Sequence, residues 1–239
     1  RLFLQQKELK AANDKLQRTN KQLDEFVYVV SHDLKAPLRG LASLATFLEE
    51  ELGANPRQEA IDILNMMKSR TGRLQGLIDG ILHYSRMGNV TESKETFSTK
   101  ELVISIIDLL SPPSNVRFEV ADSLPEVTAE KIKLHEVFQN LISNSIKYNN
   151  KDNSVIKIEF QEFPTYFEFS VIDNGIGIKE EHQAKIFGIF QTLVPKDKVE
   201  STGIGLTIVK KIVEQQGGEV IVTSKYGEGS CFKFKWMKA

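Results

Sequence analysis

The sequence predicts a coiled-coil-linked helical hairpin followed by a two-layer α/β sandwich. Leucines recur every seven residues at the start of the chain, and two long segments after them have apolar residues at helical spacing. From residue 96 onward, helical patterns alternate with strand patterns. We therefore expect a coiled coil over residues 1–22, a helical hairpin over residues 23–88 and the sandwich over residues 96–239.

The first part has the repeat of a coiled coil. Its main seam positions are Leu2, Leu9, Leu16, Leu23 and Val30. This spacing places the side chains along one side of a helix, where a second helix can cover them. The companion seam positions are only weakly apolar, so we expect a marginal coil between two parallel copies; they are Gln5, Ala12 and Thr19. A solvated surface helix is the alternative.

The second part contains two amphipathic helices. The first has one apolar stripe at 3.6 residues per turn, formed by Leu23, Val27, Val30, Leu34, Leu38, Leu41, Ala45 and Leu48. It should end near Gly53, because Asn55-Pro56 marks a turn. The second spans residues 57–86, with a predicted buried face of Ile61, Leu64, Met67, Leu74, Ile78 and Ile81. Two such helices have little core of their own, so we expect a homodimer with a four-helix bundle.

A polar stretch at residues 88–96 separates the hairpin from the third part. The patterns beyond it predict helices at residues 100–110, 130–148 and 204–216. They predict strands at residues 116–120, 155–161, 166–172, 220–224 and 230–236. Helices that alternate with antiparallel hairpins favour a sheet covered by helices, which is the two-layer sandwich.

Charge and composition give no support for several classes of partner. Lys and Arg number 31 against 32 Asp and Glu, so the net charge of −1 gives no reason to expect nucleic acid or an anionic membrane surface. No apolar run approaches the roughly 18 residues of a membrane span, so we expect no membrane contact from this chain, whether or not a longer parent is membrane-anchored. The single cysteine, Cys231, lies in an apolar stretch and indicates a reducing, cytoplasmic compartment.

The first candidate site is the segment Ser31-His32-Asp33-Leu34-Lys35-Ala36-Pro37-Leu38. At 100° per residue, His32 lies opposite the apolar stripe and is predicted to be exposed. An exposed neutral imidazole is a competent nucleophile near neutral pH, and a carboxylate such as Asp33 can fix its tautomer. A surface pair without function is the alternative.

A second polar cluster lies on the helix predicted at residues 130–148. Asn140, Asn144 and Lys147 fall along one side of it, and Tyr148 follows. Two amides one turn apart can offer an oxygen to Mg²⁺ and donors to phosphate, while the lysine offers a positive charge to the same group. A solvated helix face is the alternative.

Two glycine-containing segments come next. Asp173-Asn174-Gly175-Ile176-Gly177-Ile178 follows an apolar strand, where a carboxylate can accept from an amine such as that of adenine and glycines admit a flat ring. Thr202-Gly203-Ile204-Gly205-Leu206 opens a helix, whose N–H groups and dipole attract anions. A plain turn and a chance Gly-x-Gly match are the alternatives. The P-loop and dinucleotide fingerprints are absent from the sequence.

In this order, the segments resemble the sensor histidine kinases of two-component signalling, over nearly the whole chain from Leu23 to Phe234. The similar regions of that family are the phosphoacceptor box, the N box, the first glycine box, the phenylalanine box and the second glycine box. They correspond here to residues 31–38, 140–148, 173–178, 186–190 and 203–206. The resemblance implies a dimeric helical hairpin followed by an ATP-binding sandwich.

The resemblance also implies roles for single residues. His32 accepts a phosphoryl group from ATP, with Asp33 as base and orienter, and passes it to an aspartate of a response-regulator receiver domain. Asn140 coordinates Mg²⁺, and Asp173 reads adenine. The other implied nucleotide contacts are Asn144, Lys147, Tyr148, Gly175, Gly177, Ile178, Phe190, Thr202, Gly203, Gly205 and Leu206.

Two positions depart from the family pattern. The phenylalanine box lacks its usual arginine, and either Lys196 or Lys198 in the polar run that follows could replace it. That run, residues 191–201, is predicted to be a loop that closes over a bound ligand. Ala36 stands where relatives that dephosphorylate their partner have Thr or Asn, so we expect little phosphatase activity.

Two other classes of protein fit these residues less well. A non-catalytic dimeric scaffold has no need to retain His32, both asparagines and Asp173 together. An ATPase that does mechanical work, as in chaperones and topoisomerases, has no use for an exposed His-Asp pair on a helical hairpin. The sequence leaves open the stimulus, the identity of the regulator and whether one subunit phosphorylates itself or its dimer mate.

Overall fold

The structure is a computed structural model, and it describes residues 27, 30, 31, 34, 35, 37–50, 52, 57–86, 93–191 and 202–238. The chain divides into two compact units, Arg1–Val90 and Thr91–Ala239. The predicted coiled coil of residues 1–22 and the turn at Gly53 and Asn55-Pro56 lie outside the described residues. Among the helices of the described ranges, none is both long and apolar enough to cross a membrane.

The first unit is a hairpin of two helices. Helix α1 covers residues 37–50, and the described residues between 27 and 35 are helical as well; helix α2 covers Gln58–Arg86. Two ion pairs join the helices, Glu49 with Lys68 near the turn and Lys35 with Asp79 farther from it. This order of pairing is that of antiparallel neighbours, so the predicted hairpin is confirmed.

The core of the hairpin is small and takes in only part of the apolar stripe of each helix. Leu38 and Ala45 of the α1 stripe are buried, but Leu34, Leu41 and Leu48 are 48%, 49% and 50% exposed. The stripe is wider than the surface that one antiparallel neighbour covers. This agrees with the expectation that the hairpin has little core of its own, and burial of the whole stripe in a four-helix bundle stays a prediction.

The apolar face of α2 is also only partly buried. Leu64 and Ile78 are buried, and Ile78 packs with Leu38 and Leu82 in one cluster. Met67 and Leu74, which belong to the predicted apolar face, are 38% and 48% exposed in one hairpin. The hairpin therefore leaves an apolar surface on both helices.

The second unit is a five-stranded sheet covered by helices, with a small two-stranded sheet beside it. Its elements in chain order are β1 (Glu95–Ser98), α3 (Thr99–Leu110), β2 (Val116–Val120), β3 (Glu126–Ala129), α4 (Lys131–Lys147), β4 (Ser154–Glu162), β5 (Tyr166–Asp173), α5 (Glu180–Gln183), α6 (Gly205–Gln215), β6 (Val220–Lys225) and β7 (Gly229–Met237). The strand order is β2-β4-β5-β7-β6 in the large sheet, and β1 pairs with β3. Every helix and strand predicted for this unit is present within one residue of its expected bounds.

Three short elements and one pairing differ from the prediction. The sequence patterns missed β1, β3 and α5, each of only four residues. They also predicted only antiparallel hairpins, whereas β2 and β4 are parallel. Parallel neighbours need a long crossover connection, and here that connection contains β3 and α4.

The core lies between the sheet and helices α4 and α6. Phe138 of α4 meets Phe169 of β5 and Phe234 of β7 edge-on, with ring centroids 5.4 Å and 5.3 Å away. Phe169 and Phe234 stack on each other across paired strands at 5.3 Å. All three rings are fully buried, so this cluster fixes α4 on the sheet.

Phe138→Ala should lower the free energy of unfolding of the second unit by about 3–5 kcal/mol, because it removes a buried ring and leaves a cavity. Chemical denaturation followed by tryptophan fluorescence measures this, since Trp236 lies in the same core. Ile132→Ala on the same helix is the control: Ile132 is 59% exposed, and its loss should cost less than about 0.5 kcal/mol. Equal losses in both variants would contradict this account of the core.

Candidate functional site

The polar side of α4 forms one wall of the site. Leu134, Val137 and Leu141 on the opposite side are completely buried, so the helix period places Asn140 and Asn144 on a partly exposed face. The Asn140 side-chain amide donates to the Glu136 carbonyl at 2.9 Å. Its Oδ1 atom is therefore turned away from its own helix and is available to accept from a ligand or to bind a cation.

Helix α6 begins opposite this amide. A Cβ atom added to Gly205 would lie 2.5 Å from Asn140 Oδ1, so any larger residue here would displace the Asn140 side-chain oxygen from its position. No side chain caps the start of α6, which leaves its first N–H groups to be satisfied by a ligand or by solvent. Such a helix start attracts anions.

Asp173 lies at the end of β5 with hydrogen-bond donors on several sides. Its carboxylate accepts from the Gly175 backbone N–H at 2.9 Å and faces the Ser145 hydroxyl at 3.4 Å. Burial raises the pKa of the Asp173 carboxyl above its ordinary value, while donors from Gly175, Ser230 and Ser145 oppose the rise. A carboxylate that has lost part of its hydration in this way is suited to accept from the amine of a ligand.

The loop after Asp173 is held close to two backbone segments. A Cβ at Gly175 would lie 2.7 Å from the Tyr148 carbonyl oxygen, and one at Gly177 would lie 2.1 Å from the Lys225 carbonyl oxygen. Gly177 also has φ +66°, a conformation that side chains disfavour. The Ile176 N–H donates to the Tyr148 carbonyl at 3.2 Å, which ties this loop to the end of α4.

Phe190 and Gly203 meet at the start of the segment that leads into α6. The Phe190 N–H donates to the Gly203 carbonyl at 3.0 Å, and a Cβ at Gly203 would lie 2.7 Å from the Phe190 carbonyl carbon. Both residues have positive φ, +65° and +67°, and the Phe190 ring is 47% exposed. A non-glycine residue in this region is strained, which is common beside functional sites.

The structure brings three of the four predicted segments into the same region. Asn140 lies next to Gly205, Tyr148 next to the loop of residues 173–178, and Ser145 of the same helix next to Asp173. Lys147, Ile178, Thr202 and Leu206 are all partly exposed there. His32, Asp33 and Ala36 of the remaining segment, and Lys196 and Lys198, lie outside the described residues.

Sequence reasoning missed two polar residues that hold the site. Ser145 is almost fully buried on the apolar side of α4, and a hydroxyl within an apolar stripe is the signal that could have identified it. The sequence pattern predicts no role for the Asn174 side chain, because Asp-Asn-Gly is typical of a turn. Its side-chain oxygen accepts from Asn149 Nδ2 at 2.8 Å and from the Val155 N–H at 2.9 Å, so it anchors the loop to β4.

The donors available for a metal are few. Among the described residues, no three or more His, Cys, Asp or Glu side chains come together in a way that could hold a metal ion. One oxygen that the site presents beside the start of α6 is Asn140 Oδ1. A single amide oxygen suits Mg²⁺, which keeps several waters and takes its other ligands from a bound phosphate.

Two family models match the chain. The model described as "His Kinase A (phospho-acceptor) domain" matches residues 22–90, and the model described as "Histidine kinase-, DNA gyrase B-, and HSP90-like ATPase" matches residues 129–239. The second range includes every described residue of the site named above.

Curated relatives are similar over almost the whole of this chain. Cyanobacterial phytochrome B of Nostoc sp. is 43% identical over 236 residues, which cover 95% of this chain and 31% of the relative. The methanogenesis regulatory histidine kinase FilI of Methanothrix harundinacea is 30% identical over 231 residues, which cover 95% of this chain and 26% of the relative. The chain thus spans less than a third of the length of these relatives.

Solved structures share the fold. Full-length ShkA in complex with AMPPNP has a TM-score of 0.66 and 24% identity, over 90% of this chain and 46% of that one. Histidine kinase ThkA in complex with the response regulator TrrA has a TM-score of 0.60 and 22% identity, over 93% of this chain and 65% of that one. At these identities the likeness concerns the fold alone, a helical hairpin followed by a mixed α/β sheet.

Gly177→Ala should lower the free energy of unfolding by about 2–4 kcal/mol, because it adds both backbone strain and a clash with the Lys225 carbonyl. Gly227→Ala is the matched control. Gly227 has φ +87° but open space around it, so its substitution should cost only the backbone part, about 1–2 kcal/mol. Denaturant titration of both variants tests this, and a loss at Gly177 no larger than that at Gly227 would rule out the close contact.

Proposed function

The chain belongs to the histidine kinases, and on this premise we propose that it transfers the γ-phosphoryl group of ATP to His32 and then to an aspartate of a response-regulator receiver domain. The observation that supports this best is the convergence of the α4 amides, Asp173 and the start of α6 within the residues that match the ATPase model. His32 and Asp33 lie within the residues that match the phospho-acceptor model.

At one end of the proposed site, Asp173 accepts from the exocyclic amine of adenine. This supplies the carboxylate with a donor in place of the water that burial excludes. Gly175, Gly177 and Ile178 lie along the loop that follows, and the two glycines let this loop pack against the Tyr148 and Lys225 carbonyls, which holds it beside the base. Recognition of the base thus depends on the position of one loop.

At the other end, the phosphates lie between α4 and the start of α6. Asn144, Lys147 and Tyr148 approach them from α4, and Thr202 with Gly203, Gly205 and Leu206 does so from the opposite side. The phosphates satisfy the first N–H groups of α6 and are favoured by its dipole. Phe190 lies beside this helix start through its bond to Gly203.

Asn140 is the residue that fits Mg²⁺. Its Oδ1 atom faces the start of α6, where the phosphates are proposed to lie, while its Nδ2 atom is occupied by the Glu136 carbonyl. When bound, Mg²⁺ supplies positive charge that offsets the charge of the phosphates. Asn140 would then be its ligand from this chain, with phosphate and water oxygens completing the shell.

The transfer itself requires a neutral imidazole. The lone pair of one His32 nitrogen attacks the γ-phosphorus, the bond from this phosphorus to the β–γ bridging oxygen breaks, and ADP leaves. Asp33 holds the proton of the other ring nitrogen and accepts it as the ring becomes phosphorylated. A carboxylate oxygen of the receiver then attacks the phosphorus, the P–N bond breaks and His32 regains a proton.

A homodimer is part of the proposal. The hairpin exposes apolar side chains along both helices, and they include Leu41, Leu44, Phe47, Leu48, Ile63, Met66, Met67 and Leu74. A second hairpin is the partner that matches such a surface, because four helices can bury what two leave exposed. Two observations support the response-regulator partner. The phospho-acceptor model matches the hairpin, and ThkA, which shares this fold, was solved in complex with a response regulator.

His32→Gln should abolish phosphorylation of the chain while leaving ATP affinity within about twofold, because the nucleophile and the nucleotide contacts come from different units. Incubation with γ-labelled ATP, followed by acid and base treatment, identifies phosphohistidine as acid-labile, base-stable label. His182→Gln serves as the control and should label normally. Persistent acid-labile label in the His32 variant would refute the assignment of His32.

Asp173→Asn should weaken ATP binding by roughly 1.5–3 kcal/mol, the usual worth of a hydrogen bond to a charged group. Because burial raises the pKa of Asp173, the native carboxylate gains a proton, and ATP affinity falls, at a higher pH than for an exposed aspartate. The amide side chain of the Asp173→Asn variant has no proton to gain in this range, so the ATP affinity of the variant should not fall in the same way as the pH is lowered. Calorimetric titration with ATP across a range of pH measures the affinity. Asp152→Asn, in an exposed loop, is the control and should bind ATP like the native chain. Equal affinity in the native chain and both variants would exclude Asp173 from the site.

Leu44→Asp should shift the chain from dimer to monomer, because it places a charge on a residue that is 61% exposed in one hairpin and proposed to be buried between two. Sedimentation velocity over a range of concentrations measures the shift. Ser43→Asp introduces the same charge at the neighbouring exposed position and should leave the dimer intact. A monomeric native chain, or equal behaviour of both variants, would remove the dimer from the proposal.

A further inference from the structure

Ser224 on β6 uses its hydroxyl group to join three backbone segments. The Ile178 N–H donates to Ser224 Oγ at 2.7 Å, and Ser224 Oγ lies 2.7 Å from the Gly229 carbonyl oxygen. It also lies 2.9 Å from the Ser230 hydroxyl. A hydroxyl has one proton, which here must go to the carbonyl, so Ser230 is the donor to Ser224. Every hydrogen-bonding capacity of this hydroxyl is thereby used.

Gln183, the last residue of α5, binds two of these three segments, the loop at Ile178 and β6 at Ser224. Its Nε2 atom lies 3.1 Å from the Ile178 carbonyl oxygen and 2.8 Å from the Ser224 carbonyl oxygen. A side-chain amide has two N–H groups, and these two carbonyls account for both. Ile178 is therefore held at its N–H by Ser224 and at its carbonyl by Gln183.

The residues held by Ser224 and Gln183 lie on both sides of Asp173. Ser230 is the residue opposite Asp173 in the β5–β7 pairing, and its backbone N–H is one of the donors to the Asp173 carboxylate. On the other side, the loop from Asp173 to Ile178 passes close to the turn between β6 and β7, where the Gly227 N–H donates to the Ile176 carbonyl at 2.7 Å. Ser224 thus holds both the strand beside Asp173 and the loop that follows it, while Gln183 holds that loop and the Ser224 backbone.

We propose that Gln183 and Ser224 form a clamp, here called the Gln183–Ser224 clamp, that positions the Asp173 carboxylate for the exocyclic amine of adenine. Both are positioning residues, since they act through Ile178 and Ser230. The clamp sets how well the site distinguishes a base with an amine at this position from a base without one. This inference rests on the nucleotide site proposed above.

The test compares ATP with ITP, whose base has a carbonyl oxygen in place of the adenine amine. For Gln183→Ala and Ser224→Ala, the preference for ATP over ITP in kcat/KM of autophosphorylation should fall by about tenfold, as expected for a displaced hydrogen-bond acceptor. The change should lie in KM for ATP, with kcat at saturating ATP within about twofold of native. Ser224→Thr keeps the hydroxyl and should keep the native preference, as should the control Gln161→Ala on the exposed side of β4.

A second comparison separates positioning from general loosening of the fold. In an Asp173→Asn background, Gln183→Ala should cause no further loss of preference, because both changes act on the same acceptor. Equal weakening of ATP and ITP by the clamp variants would mean that the clamp only supports the fold, and an unchanged preference would also overturn the inference. If Asp173→Asn itself leaves ATP affinity unchanged, the proposed nucleotide site fails; if only the clamp variants are without effect, the site stands and this inference alone fails.

Discussion

The packing of α4 on the five-stranded sheet is the constraint on which the rest of the second unit depends. Phe138 lies between Phe169 and Phe234, and these three rings fix the rotation of the helix about its own axis. With that rotation set, the helical period leaves Asn140 and Asn144 on the partly exposed side. Helix α6 packs on α4 in turn, so one buried cluster determines where both walls of the site stand.

Close backbone contacts fix the positions of the loops, as the aromatic cluster fixes the position of α4. Gly175 against Tyr148, Gly177 against Lys225 and Gly203 against Phe190 are all nearer to a neighbouring backbone than a side chain would allow. Polar side chains then fix the remaining freedom, as Asn174 does through its bonds to Asn149 and Val155. The site is consequently held mostly by backbone geometry, which leaves carboxylate, amide and N–H groups free to face a ligand.

The two units differ in how much of their apolar surface they bury on their own. The second has a continuous core of completely buried side chains between its sheet and its helices. The hairpin buries Leu38, Ala45, Leu64 and Ile78 but leaves much of its apolar surface exposed. Two helices cannot enclose a core, because each covers only one side of the other. This contrast is the physical reason for including a second copy in the proposed function.

The sequence by itself determined the long elements of this protein and most of the candidate residues. A helix or strand of five or more residues shows enough of its own pattern to be predicted, as in β2 or α4, and a motif such as residues 173–178 is visible without any structure. The same local signal explains why β1, β3 and α5 were missed, since four residues are too few for a period.

Only the tertiary structure decided the parallel pairing of β2 with β4, the exposure of Leu41 and Met67, and the contacts of Ser145, Gln183 and Ser224. Each of these depends on a partner that is distant in the sequence. Gln183 and Ser224 are 41 residues apart, and neither belongs to a recognisable pattern. Local patterning shows which face of an element is apolar, but which neighbour covers that face is settled only when all the elements pack together.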